Sequence, residues 1–139
     1  MQSALLDAGP MVALFAADDR HNRRFTVLLK DLARDGLRLL TTWPCVVEAA
    51  YLLEAPQRFD LLRWIELGGA QLYSFAAQDL HAMTAWMRQY TEAGKREMDL
   101  ADASLYWVAV ETGIRAILTV DTRDFERYRL PDGKAFEVL

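Results

Sequence analysis

Short runs rich in leucine and β-branched residues alternate along the chain with longer stretches whose apolar positions recur at helical spacing. Such alternation predicts a parallel sheet covered by helices on both faces, because each parallel crossover carries a helix. The strand candidates are 4–6, 37–41, 71–75, 116–120 and 135–138. Between them the pattern predicts helices over 10–17, with Pro10 at the first position, and over 21–34, ending near Gly36. Further helices follow: one opened by Pro44, one over 58–67 stopped by Gly68 and Gly69, one over 77–93, and one over 99–112 ended by Gly113. No linker or internal repeat interrupts this rhythm. The expectation is one domain over 1–139, an α/β unit of three layers (α/β/α) around a mainly parallel sheet of about five strands.

Four carboxylates break the apolar pattern. Asp7 follows Ser3-Ala-Leu-Leu, Glu48 lies within Cys45-Val-Val-Glu-Ala-Ala, Asp102 within Leu100-Ala-Asp-Ala-Ser-Leu, and Asp121 follows Ile117-Leu-Thr-Val. An ionised carboxylate on a core-facing position costs several kcal/mol unless it is paired, hydrogen-bonded or bound to a metal. Only Asp121 has a basic residue, Arg123, within four positions. Asp7 and Asp121 fall at or just beyond the carboxyl ends of strands, the edge where open parallel sheets form ligand sites. Asp102 shares a helix face with Leu105, Tyr106 and Ala109, and Glu48 with Tyr51 and Leu52, so both are expected to point inward.

Each acid also has a local reading. Asp7 can open a turn, Asp121 can cap the turn Asp121-Thr-Arg-Asp, and Asp99 can cap the helix that carries Asp102 at its third position. Glu48 has no obvious local partner. Taken together, acids at strand ends and inward helix faces fit Mg²⁺ or Mn²⁺, which prefer carboxylate and water oxygens and often bind phosphate esters. Such ions orient a water, lower its pKa and stabilise charge developing on a phosphodiester.

Composition narrows the classes. With 53% apolar and 26% charged residues the chain is globular, and its longest apolar runs are far short of a membrane span. Cys45 is the only cysteine, so neither an internal disulfide nor a cysteine-histidine zinc site is expected. A cytoplasmic setting follows, and the first residues carry no export signal. The net charge of −4 argues against broad wrapping of nucleic acid but leaves room for a local basic rim.

The segments Leu5-Leu-Asp-Ala, Val47-Glu-Ala-Ala-Tyr-Leu-Leu, Met98-Asp-Leu-Ala-Asp-Ala-Ser-Leu and Leu118-Thr-Val-Asp-Thr-Arg-Asp-Phe resemble, in order and spacing, the motifs of PIN-domain ribonucleases. Within that family they look most like the VapC toxins of bacterial toxin-antitoxin pairs. The resemblance implies a three-layer PIN fold, Mg²⁺- or Mn²⁺-dependent cleavage of structured or single-stranded RNA, a homodimer, and neutralisation by a small antitoxin. It assigns the four acidic positions to Asp7, Glu48, Asp102 and Asp121, adds Asp99 as a further metal-pocket member, and matches Asp124 to a frequent acid before Phe125. Asp7 and Asp102 would hold the principal ion, with Asp121 and Glu48 completing the site.

Basic clusters at Arg20/Arg23/Arg24, Lys95/Arg96 and Arg123/Arg127/Arg129 are either solvated faces or the rim of an RNA groove. Lys95, Arg96 and Arg123 are the substrate-contact candidates. Thr119 and Ser104, beside the acids, can bond to carboxylates or equally to backbone. His21 and His81 lack metal-ligand spacing. The helix with Phe59, Leu61, Leu62, Trp64 and Ile65 is apolar nearly all round, which predicts deep burial or a covering partner. Two other classes compete with the nuclease. A phosphotransfer receiver-like domain lacks its adjacent acid pair and strand-end lysine here, and a non-catalytic PIN-like binding module remains open.

Overall fold

The computed structural model describes residues 2–139. Five strands, β1 (Ser3–Leu6), β2 (Arg38–Thr41), β3 (Gln71–Leu72), β4 (Ala116–Leu118) and β5 (Glu137–Val138), form one sheet in the order β3-β2-β1-β4-β5. All pairings are parallel, with Leu5 opposite both Leu40 and Ile117. Helices α1 (Ala8–Phe15) and α2 (Asn22–Arg34) connect β1 to β2, and α3 (Trp43–Leu52) and α4 (Ala55–Glu66) connect β2 to β3. The chain then crosses back through α5 (Leu80–Tyr90) and α6 (Leu100–Thr112) to β4, and α7 (Thr122–Arg127) leads to β5. The expected α/β architecture is the observed one.

The core follows from the two faces of the central strand. Leu5 and Leu6 point to opposite sides of the pleat and both are fully buried, so apolar layers lie on either side of β1. Helix α6 is buried continuously from Ala101 to Ala109, which explains why its sequence shows little amphipathic periodicity. It ends at Gly113, whose φ of 78° is the left-handed conformation that closes a helix. No helix among the described residues is long and apolar enough to cross a membrane.

Some boundaries shift for identifiable reasons. Helix α1 begins at Ala8 rather than Pro10 because Asp7 caps it, the Ala8 amide donating to Asp7 Oδ1 at 2.8 Å. Pro10 then falls at the third helical position, where an amide has no intrahelical partner to lose. Helix α5 stops at Tyr90, short of 93, since Thr91 is extended and Glu92 pairs with Arg96 in a small antiparallel bridge. Strand β3 is shorter than 71–75. The segment read as a turn after Asp121 continues into α7.

Candidate functional site

The strand order reverses at β1: the chain first builds outward through β2 and β3, then returns to place β4 on the other side. Connections from β1 and β4 therefore leave in different directions, and a crevice opens beyond their carboxyl ends. Asp7 follows β1 directly, and its amide donates to Leu118 O of β4 at 3.0 Å. Thr119 follows β4. Its buried hydroxyl donates to Asp7 Oδ2 at 2.7 Å and accepts from the Asp121 amide at 3.0 Å, so one side chain ties together the two strand-end acids. Gly9 allows this closeness, because a Cβ there would lie 2.3 Å from Val120 Cγ2.

Helices α3 and α6 deliver the remaining acids. At their junction the Thr42 and Ser104 hydroxyls are 2.6 Å apart, Ser104 donates to Ala101 O at 2.6 Å, and the Cys45 thiol lies 3.8 Å from the same carbonyl. Asp99 is the N-cap of α6, its Oδ1 accepting the Asp102 amide at 2.8 Å. Asp102 thus occupies the third helical position, as the sequence spacing predicts. Its Oδ2 accepts a hydrogen bond of 2.6 Å from the hydroxyl of Tyr128, a fully buried residue just past α7.

Burial dominates the electrostatics of these acids, and neighbouring carboxylates add to it. Burial pushes Asp102 up to about 8, against the opposing hydrogen bond from Tyr128, and the charges of Asp99, Asp7 and Asp124 add to the rise. Burial likewise pushes Asp7 up to about 6, with Thr119 and the Ala8 amide pulling down and Asp121 and Asp99 pushing further up. Glu48 is raised to about 7 by desolvation and by Asp99, Asp7 and Asp121. Asp121 is raised by burial, then by Asp124 and Asp99. Each rise is led by desolvation of the charged form, with like charge from other acids as the lesser cause.

Two of the expected core acids are core acids: Asp7 is 3% exposed and Asp102 is 7% exposed. Glu48, Asp99 and Asp121, hereafter the mouth acids, are exposed instead, near enough for the charges of Asp99 and Asp121 to act on Asp7 and Glu48. The inward expectation for Glu48 used Tyr51 and Leu52 as core markers, but both are exposed; the buried side of α3 is Cys45, Val46 and Ala49. Asp121 starts α7 without a side-chain cap, leaving its carboxylate free of the local role open to it. Asp124 pairs with Arg127 at 3.3 Å. Ser104 takes the backbone role, whereas Thr119 bonds to an acid. Tyr128 was not singled out in the sequence, because nothing in Arg127-Tyr-Arg-Leu marks a residue that reaches back across the fold.

Among the described residues no ion pair engages Asp7, Glu48, Asp99, Asp102 or Asp121. No three acidic, histidine or cysteine side chains among them draw close enough to form a ready-made metal cage. Ions of the Mg²⁺ type do not need one, since they keep several waters and use one or two carboxylates. An all-oxygen donor set carrying unpaired negative charge fits that ion class. Burial raises the Cys45 thiol well above its ordinary range, with Asp7 adding to the rise, which removes it as a thiolate ligand.

The basic candidates are exposed. Lys95 and Arg96 lie on the turn before α6 and Arg123 on α7, and they share with Asp121 and Asp124 an open cleft of about 520 Å³. The cleft joins a cationic wall to the acidic mouth. The predicted apolar helix, α4, is neither fully buried nor polar outside: Leu61 is buried while Phe59 and Leu62 are exposed. On α3, Trp43, Val47 and Tyr51 recur every fourth residue as an exposed stripe, Val47 at 64% and Tyr51 at 83%.

A family model described as the PIN domain matches residues 4–130. Among solved structures, the crystal structure of Mycobacterium tuberculosis VapC20, a toxin that cleaves the sarcin-ricin loop, is similar with a TM-score of 0.67. It is 18% identical, and the likeness covers 82% of this chain and 86% of that one. No curated protein sequence gives a significant match.

Proposed function

The chain belongs to the PIN-domain family, and on that premise we propose that it is a divalent-metal-dependent endoribonuclease, the toxin of a toxin-antitoxin pair. What supports this reading is the burial of Asp7 and Asp102, with the charges of Asp99 and Asp121 reaching Asp7 and Glu48 and no ion pair engaging any of the five among the described residues. Asp7 and Asp102 would hold Mg²⁺ or Mn²⁺, and Glu48, Asp99 and Asp121 would bond to waters around it. The ion, when bound, supplies the positive charge that acidifies a water and balances a phosphodiester.

The chain's own residues do the rest. Thr119 and the Ala8 amide hold both oxygens of Asp7, and Tyr128 holds one oxygen of Asp102, so the buried pair is fixed in direction. The mouth acids are less constrained and can accept protons from water near the phosphate. Lys95, Arg96 and Arg123 attract the RNA backbone along the cleft and keep its phosphates from being repelled by the acidic mouth. Such contacts position the strand without reading its sequence.

The exposed α3 stripe supports a homodimer, and a small antitoxin protein is the partner expected to cover the acidic mouth and silence it. The proposed setting is the cytoplasm. The test is cleavage of a pool of structured RNAs, a ribosomal stem-loop among them, by chelator-stripped protein with and without Mg²⁺ or Mn²⁺, compared with Asp102→Asn. Metal-dependent cuts that vanish in Asp102→Asn support the reading. Cleavage without metal, or full activity in the variant, refutes it, and tight RNA binding with no cleavage under any metal points to the binding-module alternative.

A further inference from the structure

We propose that Tyr128 is a positioning residue for the metal site, holding the Asp102 carboxylate in the one orientation that leaves a single oxygen facing the crevice. The inference rests on the metal-site reading above and adds to it a residue outside the acidic motifs. The Tyr128 hydroxyl donates to Asp102 Oδ2 at 2.6 Å, and among the described residues no other hydrogen bond reaches that carboxylate. Oδ1 is therefore the oxygen left for an ion or its water. A buried aspartate at the start of a helix has two χ angles to fix, and a single strong donor to one oxygen fixes both.

The phenol can serve this way because its own position is over-determined. The Tyr128 ring is fully buried, packs edge-on against Phe125 at 5.2 Å and Tyr90 at 5.1 Å, and has the Arg127 guanidinium over its face at 5.0 Å. The next residue is clamped as well. Tyr90 Oη accepts from the Arg129 amide at 3.0 Å and donates to Arg129 O at 2.9 Å, and the Tyr106 hydroxyl donates to the same carbonyl. Tyrosines of α5 and α6 thus pin the strand of chain that presents a third tyrosine to the site. An aromatic cluster used only for packing would not need a hydroxyl aimed at a buried carboxylate.

The experiment compares Mn²⁺ affinity by isothermal titration calorimetry in wild type, Tyr128→Phe and Phe125→Leu, with thermal unfolding of each and kcat and KM for RNA. Tyr128→Phe keeps the ring and loses only the hydroxyl; about tenfold weaker Mn²⁺ binding is expected, with kcat reduced and KM for RNA unchanged. Phe125→Leu loosens the same cluster, lowers the unfolding midpoint and leaves Mn²⁺ affinity within twofold. Equal Mn²⁺ affinity in wild type and Tyr128→Phe, or an equal loss in Phe125→Leu, overturns the proposal. A wild-type chain that binds no Mn²⁺ overturns the metal reading and this inference with it, a distinguishable outcome. Should Tyr128→Phe not fold, the wild-type Tyr128 hydroxyl proton is observed by NMR. A slowly exchanging resonance that moves on adding Mg²⁺ supports the proposal, and one that stays put refutes it.

Discussion

Replacing Asp102 by asparagine is expected to stabilise the metal-free protein while removing its function, and the size of the gain depends on pH. Asp102 is raised from an ordinary 3.8 to about 8, chiefly by burial. The folded state therefore holds a proton that the unfolded chain has already released, so stability is greatest below about pH 4 and is lost as pH rises toward 8. At about 1.4 kcal/mol per pH unit, the loss attached to this one group approaches about 5 kcal/mol at pH 8 and stays below about 1 kcal/mol at pH 4. Asparagine carries no charge at either pH. Its Oδ1 can keep the hydrogen bond from Tyr128, while its amide nitrogen must be buried at a cost of about 1–3 kcal/mol.

The net expectation for metal-free Asp102→Asn is a gain of about 2–4 kcal/mol at pH 8, roughly 10 °C in the unfolding midpoint, and a small loss at pH 4, where only the cost of burying the amide remains. Scanning calorimetry on chelator-stripped protein at both pH values measures it. At about a thousandfold excess over Kd, Mn²⁺ adds about 4.1 kcal/mol to wild type and far less to the variant, which cancels or reverses the order at pH 8. A variant less stable than wild type at pH 8 without metal, or an equal change at both pH values, would refute the claim that uncompensated burial dominates this site.

Mn²⁺ affinity itself is expected to rise between pH 6 and 8 with net proton release, since Asp7, Glu48 and Asp102 must deprotonate as the ion enters. Titrations in buffers of different ionisation enthalpy measure the protons, and pH-independent binding contradicts the assignment. Thr119→Val removes the donor to Asp7 and the acceptor for the Asp121 amide, and is expected to cost about 1–3 kcal/mol in urea unfolding together with weaker Mn²⁺ binding. The Lys95→Ala/Arg96→Ala pair should raise KM for RNA and flatten its salt dependence by about 0.7 per lost phosphate contact, with kcat unchanged. Val47→Asp on the exposed α3 stripe should shift the chain to monomer in sedimentation, with little change in monomer stability; a wild-type monomer at high concentration removes the basis for the dimer.

Element type and order were legible because the signals were local. Leucine-rich runs bounded by glycine or proline gave the strands, and Gly113 marked the end of α6. The misplaced ends had causes that periodicity does not encode: Asp7 started α1 early by bonding to Ala8, and the Glu92–Arg96 bridge ended α5 before 93. Helix α7 was missed because it has six residues, too few for a repeat to register. At the site, the apolar surroundings of Asp7 and Asp102 truly reported burial. The same cue misled at Glu48, since an apolar residue on a helix can face a partner or solvent as readily as a core, as Tyr51 and Leu52 do. Tyr128 lay beyond local reasoning altogether, reaching an acid 26 residues away.

The acids divide by how firmly they are held, and the division has a physical cause in the sheet. Asp7 directly follows the central strand, with Thr119 from the neighbouring strand end reaching its carboxylate, so it is buried with each oxygen oriented by one hydrogen bond and a lone pair on each still free. Asp102 enters from the most buried helix and receives Tyr128. Glu48, Asp99 and Asp121 lie at helix positions open to solvent, and only Asp99 has a local bond, to the Asp102 amide. A firmly held pair and three looser acids would suit an ion that demands near-octahedral geometry yet keeps its waters: on the proposed reading the pair would set where the ion sits, while the looser acids would adjust to its water shell. An anomaly of burial alone therefore identifies the pair, and the proposed role of the other three rests on their charges reaching it rather than on burial of their own.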